Sequence, residues 1–295
     1  MKSQIIDGKV ISAQVRSEIS VDVSKLKNDH NIIPKLAVIL IGDDAASQVY
    51  VRNKQKSALS IGMHAEDYKF SISDTTESVI NLINDLNNDP YTNGILVQLP
   101  LPENFNKEKI IYSIDPLKDV DGLHPFNVGL VSLGQPRFIP ATPFGISEML
   151  NRANINVEGS NIVIIGRSNI VGIPLGNLFV QKMKNFNSTI TICHSRTKNI
   201  SEYTKNADIV MAAIGSANFL TLDMVKENSV IIDVGINRVE DSSKKSGFRL
   251  VGDVDYDSMI GFVKAITPVP GGVGPMTIAM LLKNTYKAAI IQNQK

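Results

Sequence analysis

Apolar and polar positions along the first hundred residues repeat with the periods of helices and strands. Val15, Ile19, Val23 and Leu26 recur at helical spacing and predict an amphipathic helix. After it, the pattern predicts in turn a strand at 35–41, a helix at 44–61, a strand at 63–70, a helix at 75–88 and a strand at 94–99. This β-α-β-α-β order predicts a parallel sheet with right-handed crossovers.

The segment from Asp115 to Pro140 is rich in residues that break helices and strands. These breakers are Pro116, Gly122, Pro125, Gly129, Gly134, Pro136 and Pro140. Their density predicts an ordered loop region and a boundary between two domains. Directly after it, Thr142 and Pro143 are predicted to be the N-cap and the first position of a helix that runs to Ala153.

The alternation of strands and helices restarts in the second half of the chain. The pattern predicts strands at 161–165, 189–193, 209–213 and 230–234, helices at 170–184, 200–206 and 275–291, and a Pro/Gly-rich loop at 267–274. We therefore predict an α/β chain of two domains. The first is an N-terminal α/β domain with a parallel sheet, and the second is a C-terminal Rossmann-like dinucleotide-binding domain.

Composition and charge agree with a globular chain and exclude several classes of protein. Of the 295 residues, 43% are hydrophobic and 20% are charged, as in average globular domains, and the net charge of +1 indicates no nucleic-acid partner. Cys193 is the single cysteine, so an intramolecular disulfide and a cysteine zinc cluster are excluded, and we expect no metal. No apolar run reaches the ~20 residues of a membrane helix, and the first residues lack a signal-peptide stretch. We therefore expect a cytoplasmic protein with no membrane partner.

A strand-to-helix turn at Gly166 is the first candidate site. The predicted strand 161–165 runs directly into Gly166, Arg167 and Ser168, where a helix starts. Amide N–H groups at a helix N-terminus, together with the helix dipole, bind the pyrophosphate of a dinucleotide. Because Arg167 and Ser168 stand where the usual fingerprint has its second glycine, the turn alone also fits an ordinary βα connection.

The end of the next predicted strand favours NADP over NAD. In dinucleotide-binding folds, an acidic residue at this position binds the ribose 2′-hydroxyl. Here the strand 189–193 is followed by His194, Ser195 and Arg196, with no acid. A hydroxyl and a guanidinium suit a 2′-phosphate, because arginine makes strong charge-assisted bonds to phosphate. Taken alone, Arg196 is equally compatible with a solvated surface charge.

A second candidate site begins on the predicted helix 44–61. Ser47, Tyr50, Lys54 and Ala58 are three or four residues apart and share one face. Lysines on helices are most often solvated, but this face mixes hydroxyl, aromatic and amine groups, and we expect the core stripe of the helix to lie elsewhere. A Tyr-x-x-x-Lys pair is also catalytic in short-chain dehydrogenases. There the cofactor turn precedes the pair, whereas here the turn comes far after it.

Two further polar residues complete the second candidate site. Gln98 is at the carboxyl end of the predicted strand 94–99, the edge at which open α/β sheets bind ligands. Asp121 follows in the Gly/Pro-rich segment. A lysine, an amide that orients it, an aromatic surface and a lone carboxylate suit a flat heteroaromatic substrate.

Six stretches, spread in order over essentially the whole chain, carry a resemblance to a known family. They are Tyr50–Lys56, Gly94–Pro102, Asp115–Gly122, Pro140–Pro143, Gly166–Pro174 and Pro268–Thr277. In these stretches the chain resembles the bifunctional methylenetetrahydrofolate dehydrogenase/methenyltetrahydrofolate cyclohydrolase family. It departs from the family in a longer segment at 182–188, which bears on local loop geometry alone.

The resemblance implies an activity and an organisation. The activity is NADP-dependent oxidation of 5,10-methylenetetrahydrofolate to the 5,10-methenyl compound, followed by hydrolysis to 10-formyltetrahydrofolate, so tetrahydrofolate derivatives are the implied substrates. The implied organisation is a folate-binding catalytic domain at 1–141, completed by 270–295, and an NADP-binding domain at 142–269. The last helix returns to the first domain, and the protein is a homodimer.

The resemblance also implies roles for individual residues. The implied catalytic residues are Lys54 as the general acid/base, Gln98 as the residue that holds it, and Tyr50, which stacks against the folate. The implied substrate-binding residues are Ser47, Tyr50, Gln98, Asp121, which hydrogen-bonds the pterin edge, and Pro270 with Gly271, which contribute backbone contacts. Contacts to the dinucleotide are implied for Gly166, Arg167, Ser168, Ser195 and Ile236, beside Arg196 predicted above.

Two other functions stay compatible with parts of the pattern. Another NADP-dependent two-domain dehydrogenase, acting on a small alicyclic acid, would share the cofactor turn but would not need Gln98 or Asp121. A catalytically silent dinucleotide-binding regulator would need neither these residues nor Lys54. Retention of the whole set disfavours both alternatives.

Overall fold

The structure, a computed structural model, describes residues 2–244 and 247–293 and divides into two compact units. The six-stranded unit comprises Met1–Ser12, Val131–Gln135 and Thr142–Thr277. The three-stranded unit comprises Ala13–Leu130, Pro136–Ala141 and Ile278–Lys295. The assignment of folate and NADP to the predicted domains stays a prediction, and residues 1, 245, 246, 294 and 295 of those domains lie outside the described residues.

Helices and strands alternate along most of the described chain. The helices are α1 (Gly8–His30), α2 (Ala45–Ser60), α3 (Thr76–Asn88), α4 (Lys107–Tyr112), α5 (Pro125–Ser132), α6 (Ala141–Arg152), α7 (Gly172–Phe179), α8 (Ile200–Thr204), α9 (Tyr256–Met259) and α10 (Val273–Asn293). The strands are β1 (Gln4–Ile5), β2 (Lys35–Ile41), β3 (His64–Phe70), β4 (Gly94–Val97), β5 (Asn161–Ile165), β6 (Thr189–Cys193), β7 (Ile209–Ala212), β8 (Val230–Asp233), β9 (Asn237–Glu240), β10 (Phe248–Val251) and β11 (Ala265–Ile266).

The three-stranded unit is built on a parallel sheet with the strand order β3-β2-β4. The central strand β2 is apolar from its second residue to its last because both faces of the sheet are covered. On one face it packs against Val79, Ile83 and Leu86 of α3, a helix that starts in a capping box between Thr75 and Ser78. After β4 the chain returns to the sheet, where Asp119 pairs with Ile95 in parallel.

The six-stranded unit is built on a parallel sheet with the strand order β1-β11-β8-β7-β5-β6. Its central strands β5, β7 and β8 are buried almost throughout and carry the apolar runs of the sequence. Because the strands are parallel, the loops after β5, β6, β7 and β8 all leave from one edge. Strands β9 and β10 form a separate antiparallel hairpin.

The last helix contributes to both units through its length. Helix α10 starts at Val273 in the six-stranded unit, and from Ile278 onward it belongs to the three-stranded unit. There the Asn284 side-chain amide donates to the Val120 and Ile139 carbonyls at 2.8 and 2.9 Å. Gln292 Nε2 donates to the Asn93 and Leu117 carbonyls at 2.9 and 2.8 Å. The predicted return of the last helix is confirmed.

The predicted α/β class and parallel sheets are confirmed, and most predicted elements agree with the structure to within a few residues. The segment 115–140, predicted as loop, contains helix α5. Its first residue is Pro125, whose missing N–H costs no hydrogen bond at that position. A residue predicted to break structure therefore starts a helix.

Two predicted helix boundaries were wrong for local reasons. Helix α6 starts at Ala141, so Thr142 lies inside the first turn rather than at the N-cap. Pro143 lies in the same turn, where a backbone N–H has no intrahelical partner and its absence costs no hydrogen bond. Helix α7 ends at Phe179 rather than at residue 184. The Gln181 side chain donates to the Asn177 carbonyl at 2.7 Å and takes the place of a further helical N–H.

Candidate active site

Helix α2 carries Lys54 into the interior of the three-stranded unit. The Asp44 carboxylate caps the helix by accepting from the Ser47 amide at 2.7 Å, which fixes where the helix starts. Ser47, Val51, Lys54 and Ala58 form its buried face. The expectation that the core stripe lies elsewhere was wrong, because the face with the amine is the face that packs inward.

The Lys54 ammonium is held by Gln98. Lys54 is only 8% exposed, and its Nζ donates to Gln98 Oε1 at 2.8 Å. Gln98 follows β4 directly, and its amide N–H donates to the Ile39 carbonyl of β2 at 2.8 Å. Its side-chain Nε2 donates to the Leu99 carbonyl at 2.6 Å, which turns Oε1 toward the lysine. The end of β4 thus fixes both the position and the orientation of the lysine's acceptor.

The surroundings of Lys54 favour its neutral form. Burial lowers the pKa of Lys54, and the nearby Asp121 carboxylate opposes this only in part. Burial also raises the pKa of Asp121 to about 6, against the stabilising charge of Lys54. An amine and a carboxyl whose pKa values move toward each other can exchange protons with a substrate near neutrality.

The segment that presents Asp121 is fixed by residues that the sequence did not single out. The buried Asp119 carboxylate accepts from the His124 amide at 2.9 Å and from Asn127 Nδ2 at 2.8 Å. Lys118 Nζ donates to two backbone carbonyls, those of Leu86 and Asp89, at 2.8 and 2.7 Å. The sequence signal at these positions is a pair of charged residues, Lys118 and Asp119, directly before the apolar Val120 in a Gly/Pro-rich segment.

Tyr50 and Ser47 lie on the turns of α2 before Lys54. Ser47 is buried, whereas Tyr50 is only partly covered, so its ring has an accessible surface. Burial raises the pKa of the Tyr50 phenol, which therefore stays protonated at neutral pH. The pair provides a neutral aromatic and hydroxyl surface beside the amine.

The Gly166 turn in the six-stranded unit leaves no room for a side chain. Gly166 has φ +126°, and a Cβ there would overlap the Ala213 carbonyl oxygen. A Cβ on Gly172, the first residue of α7, would overlap the Gly166 carbonyl oxygen. Residues 167–170 are exposed between these two glycines. This cradle, which any side chain would fill, fits the close backbone approach that a pyrophosphate needs.

The Ser195–Arg196 turn follows β6 at the same edge of the sheet. The His194 amide donates to Thr197 Oγ1 at 2.9 Å, and the Arg196 amide donates to His194 Nδ1 at 3.1 Å. The side chains of His194 and Thr197 therefore stabilise the turn. Ser195 and Arg196 are exposed and take no part in these side-chain bonds. An exposed hydroxyl beside an exposed guanidinium fits a phosphate ester.

The remaining predicted residues also belong to the six-stranded unit. Ile236 follows β8 and is 47% exposed. Pro270 is exposed, whereas Gly271 is buried with φ +110°, and its carbonyl accepts from the Lys9 amide at 3.1 Å. The structure thus brings Lys54, Gln98 and Asp121 together in one unit, and it places Pro270 and Gly271 in the other.

Two negative findings concern the described part of the chain. No helix in it is both long and apolar enough to cross a membrane. No group of three or more His, Cys, Asp or Glu residues within 2–244 and 247–293 could hold a metal ion.

The chain has parallel α/β sheets, a strand-to-helix turn that requires glycine, and a buried set of a lysine, an amide and a carboxylate. These features are typical of one class of protein, the dinucleotide-dependent enzymes. Comparison with known families narrows this class. Residues 6–121 match the catalytic domain of tetrahydrofolate dehydrogenase/cyclohydrolase, and residues 140–293 match the NAD(P)-binding domain of the same family. The chain belongs to the tetrahydrofolate dehydrogenase/cyclohydrolase family.

Individual relatives agree with the family assignment. A "Bifunctional protein FolD" from Chlorobium chlorochromatii is 53% identical over 286 residues, which cover 96% of this chain and 97% of the relative. The crystal structure of the bifunctional methylenetetrahydrofolate dehydrogenase/cyclohydrolase from Campylobacter jejuni is 45% identical, with a TM-score of 0.92 over 98% of this chain and 99% of that one. The dehydrogenase-cyclohydrolase from Trypanosoma brucei, solved with NADP and an inhibitor, is 33% identical, with a TM-score of 0.95 over 100% of both chains.

Proposed function

We propose that this chain oxidises 5,10-methylenetetrahydrofolate with NADP and hydrolyses the resulting 5,10-methenyl cation to 10-formyltetrahydrofolate. The observation that carries the proposal is the buried Lys54 ammonium bonded to Gln98 at 2.8 Å beside Asp121. Family membership and the relatives named above support the same pair of activities. The proposal places this chain in one-carbon metabolism.

The hydrolysis needs a group that carries protons near neutrality. Water adds to the methenyl carbon, and the neutral Lys54 amine takes the proton that the water loses. The bond from that carbon to one ring nitrogen then breaks and the Lys54 ammonium returns the proton to this nitrogen, while the carbinol oxygen becomes the formyl carbonyl and releases its remaining proton to solvent. Burial lowers the pKa of Lys54, which makes its amine more available as a base and its ammonium a stronger acid.

Other residues of the three-stranded unit bind and orient the folate. We assign stacking against the folate to Tyr50 and a hydrogen bond to the pterin edge to Asp121. Ser47 belongs to the same substrate-binding set, and Gln98 holds the lysine. From the six-stranded unit, Pro270 and Gly271 contribute backbone contacts to the substrate.

The dinucleotide is held by the loops after β5, β6 and β8. We assign the pyrophosphate to the turn Gly166–Ser168, the 2′-phosphate to Ser195 and Arg196, and a contact with the dinucleotide to Ile236. The cradle at Gly166 and the exposed Arg196 support this assignment. When bound, NADP would supply the acceptor for the hydride that leaves the bridging methylene carbon. The protein's part is to hold the two carbons in a reactive arrangement.

The organisation of the chain follows from the same proposal. Residues 1–141 with 270–295 form the folate-binding catalytic domain, and residues 142–269 form the NADP-binding domain. We also propose a homodimer, because the family that the chain resembles is typically dimeric. Light scattering on the purified protein tests this against the 32.2 kDa of one chain. A single species of that mass would contradict it.

Absorbance measurements on one sample test the two activities together. Protein, 5,10-methylenetetrahydrofolate and NADP are mixed, and the methenyl product is expected to form and then decay faster than in buffer. Formation without accelerated decay would identify a monofunctional dehydrogenase. If no methenyl product forms, the proposed oxidation is wrong.

The role of Arg196 has a separate test. Removing the guanidinium in Arg196→Ala is expected to weaken NADP binding by about tenfold or more, because a charge-assisted bond to the 2′-phosphate is lost. NAD binding, which offers no 2′-phosphate, is expected to change little. Equal losses for both dinucleotides, measured by titration, would contradict a 2′-phosphate contact.

A further inference from the structure

Two buried aspartates lie behind the loops that follow β7 and β8 in the six-stranded unit. Asp233 is the last residue of β8 and is 2% exposed. Asp253 follows β10 and is fully buried. Carboxylates are rarely buried to this degree unless their oxygens are fully used. The partners of each therefore indicate what each one does.

Asp253 binds the loop after β7 through its backbone. Its Oδ2 accepts from the amides of Ile214 and Gly215 at 2.7 and 2.9 Å, and its Oδ1 accepts from the amide of Ser216 at 2.9 Å. Oδ1 also accepts from the side chain of Asn237 at 2.9 Å. One carboxylate thus fixes three consecutive amides after β7 and the residue next to Ile236.

Asp233 in turn fixes the backbone of Asp253. Asp233 Oδ1 accepts from the amides of Gly235 and Asp253 at 3.0 and 2.9 Å, and Oδ2 accepts from the Val254 amide at 3.1 Å. A Cβ on Gly235 would overlap the Asp253 carboxylate, and a Cβ on Gly252 would overlap the Asp233 carboxylate. The two aspartates and two glycines form one interlocked arrangement with no spare space.

This arrangement lies at the edge of the sheet that carries the cofactor turn. The Ala213 carbonyl oxygen occupies the space beside Gly166 that a side chain would need, and Ile214 to Ser216 follow Ala213 directly. On the other side, Ile236 stands between Gly235, which Asp233 binds, and Asn237, which Asp253 binds. The aspartates therefore determine where both loops lie relative to the Gly166 cradle.

We infer that Asp253, with Asp233 behind it, is a positioning residue for the dinucleotide. It acts by fixing the loop 214–216 and Ile236 beside the Gly166 turn, and it does not itself touch the cofactor. The inference rests on the proposed function, since it takes NADP as the ligand of this edge. It predicts that substitution of Asp253 weakens NADP binding and leaves the rate of the hydrolysis proposed at Lys54 unchanged.

Asp253→Asn tests the inference at nearly constant size. Whichever way the new amide turns, an N–H₂ group faces an N–H donor that it cannot bind, so the loop loses acceptors. The Kd for NADP, measured by titration, is expected to rise about tenfold or more. Hydrolysis of added 5,10-methenyltetrahydrofolate, which consumes no NADP, is expected to stay at the wild-type rate. Amide hydrogen exchange at 214–216 is expected to accelerate.

Asp208→Asn is the matched control. Asp208 precedes β7 at the opposite edge of the sheet and also binds a backbone amide, that of Asn161 at 2.8 Å, together with Lys226 at 2.7 Å. Its substitution is expected to leave the Kd for NADP unchanged. If both variants weaken NADP binding alike, the effect is general destabilisation and the inference is wrong.

The remaining outcomes are also decisive. If the wild-type protein does not bind NADP, the proposed function fails at that point, before any variant is compared. If wild type binds NADP and Asp253→Asn binds it equally well, only the inference is overturned. If Asp253→Asn does not fold, Asn237→Ala replaces it, because it removes one donor and leaves the three backbone bonds. Its Kd is expected to rise about threefold with hydrolysis unchanged, and an unchanged Kd would overturn the inference.

Discussion

Two buried lysines in the three-stranded unit differ in what their ammonium groups bind. Lys54 on α2 and Lys118 after α4 are 8% and 6% exposed, and burial lowers the pKa of each. Nearby carboxylates oppose the shift in both, Asp121 for Lys54 and Asp89 with Asp115 for Lys118. Burial and the direction of the pKa shift therefore do not distinguish them.

The hydrogen-bond partners do distinguish them. Lys118 donates to two backbone carbonyls that cannot turn away, and it ties the 115–122 segment to the end of α3. Lys54 donates to a single side-chain amide, that of Gln98, within the described part of its unit. An ammonium has three donors, so Lys54 keeps two and Lys118 keeps one. The partners, rather than burial, therefore set the two lysines apart: Lys118 binds two fixed backbone carbonyls, whereas Lys54 binds one side chain, which fits its proposed role in proton transfer.

The largest expected effect comes from Lys54→Met. Hydrolysis of 5,10-methenyltetrahydrofolate is expected to fall by about 10²–10⁴-fold, because this is the usual contribution of a general acid/base. The decay of the methenyl absorbance measures it, and NADP binding in the same variant serves as the control for folding. A wild-type rate of hydrolysis would contradict the role of Lys54 as general acid/base. The proposed functional difference between Lys54 and Lys118 would then be wrong as well.

Gln98→Glu sharpens the comparison by giving Lys54 a charged partner. A carboxylate favours the ammonium form, so the pKa of Lys54 is expected to rise. Less neutral amine is then present at pH 7, and hydrolysis there is expected to fall by about tenfold or more. Activity is expected to recover as the pH is raised. A pH–rate profile that coincides with that of the wild type would show that Gln98 does not tune the lysine.

Asp121→Asn is expected to change the pH dependence more than the maximal rate. The pKa of Asp121 is raised to about 6, so the wild-type hydrolysis profile is expected to bend near that pH and the variant profile is not. Stability follows the same group. A raised folded-state pKa gives stability at low pH that is lost as the pH rises through about 6.

The variant should not show this loss. Its unfolding free energy relative to wild type, from urea titrations, should therefore increase from about pH 4 to about pH 7. A difference that stays constant over this range would mean that the Asp121 carboxyl is not perturbed in the folded protein.

Lys118→Met is expected to have the smallest effect on the rate. It leaves the Leu86 and Asp89 carbonyls without their donor, which costs about 1–3 kcal/mol of unfolding free energy for each. Hydrolysis per folded molecule is expected to stay at the wild-type rate. Urea titration and the absorbance assay on the same preparation separate the two quantities. A stable variant with slow hydrolysis would erase the distinction between the two lysines.

Whether a residue's role can be predicted from the sequence depends on which groups it binds in the folded chain. Lys54 and Gln98 could be predicted, because helical spacing and the end of a strand give their positions and the resemblance gives their roles. Lys118, Asp119 and Asp253 could not be predicted, because they bind backbone groups at positions that no periodicity brings together. Their partners are known only once the chain is folded.

The errors in secondary structure have a similar cause. Pro125 was counted as a residue that breaks structure, and Pro143 was placed by the rule for an N-cap at Thr142. The effect of each proline depends instead on whether the helix needs a backbone N–H at that position. The hairpin β9–β10 was missed because all residues of its strands are exposed or only partly buried, so neither strand forms a buried apolar run.

The bonds from α10 to the Asp121 segment set a condition on biosynthesis. The carbonyls of Leu117, Val120 and Ile139 are made first, and their donors on Asn284 and Gln292 follow 145 to 175 residues later. On the ribosome, these carbonyls must therefore hydrogen-bond to water until α10 has been translated. The segment that carries Asp121 therefore gains these backbone bonds only after α10 has been made, although Lys54, Gln98 and Asp121 are themselves made long before that helix.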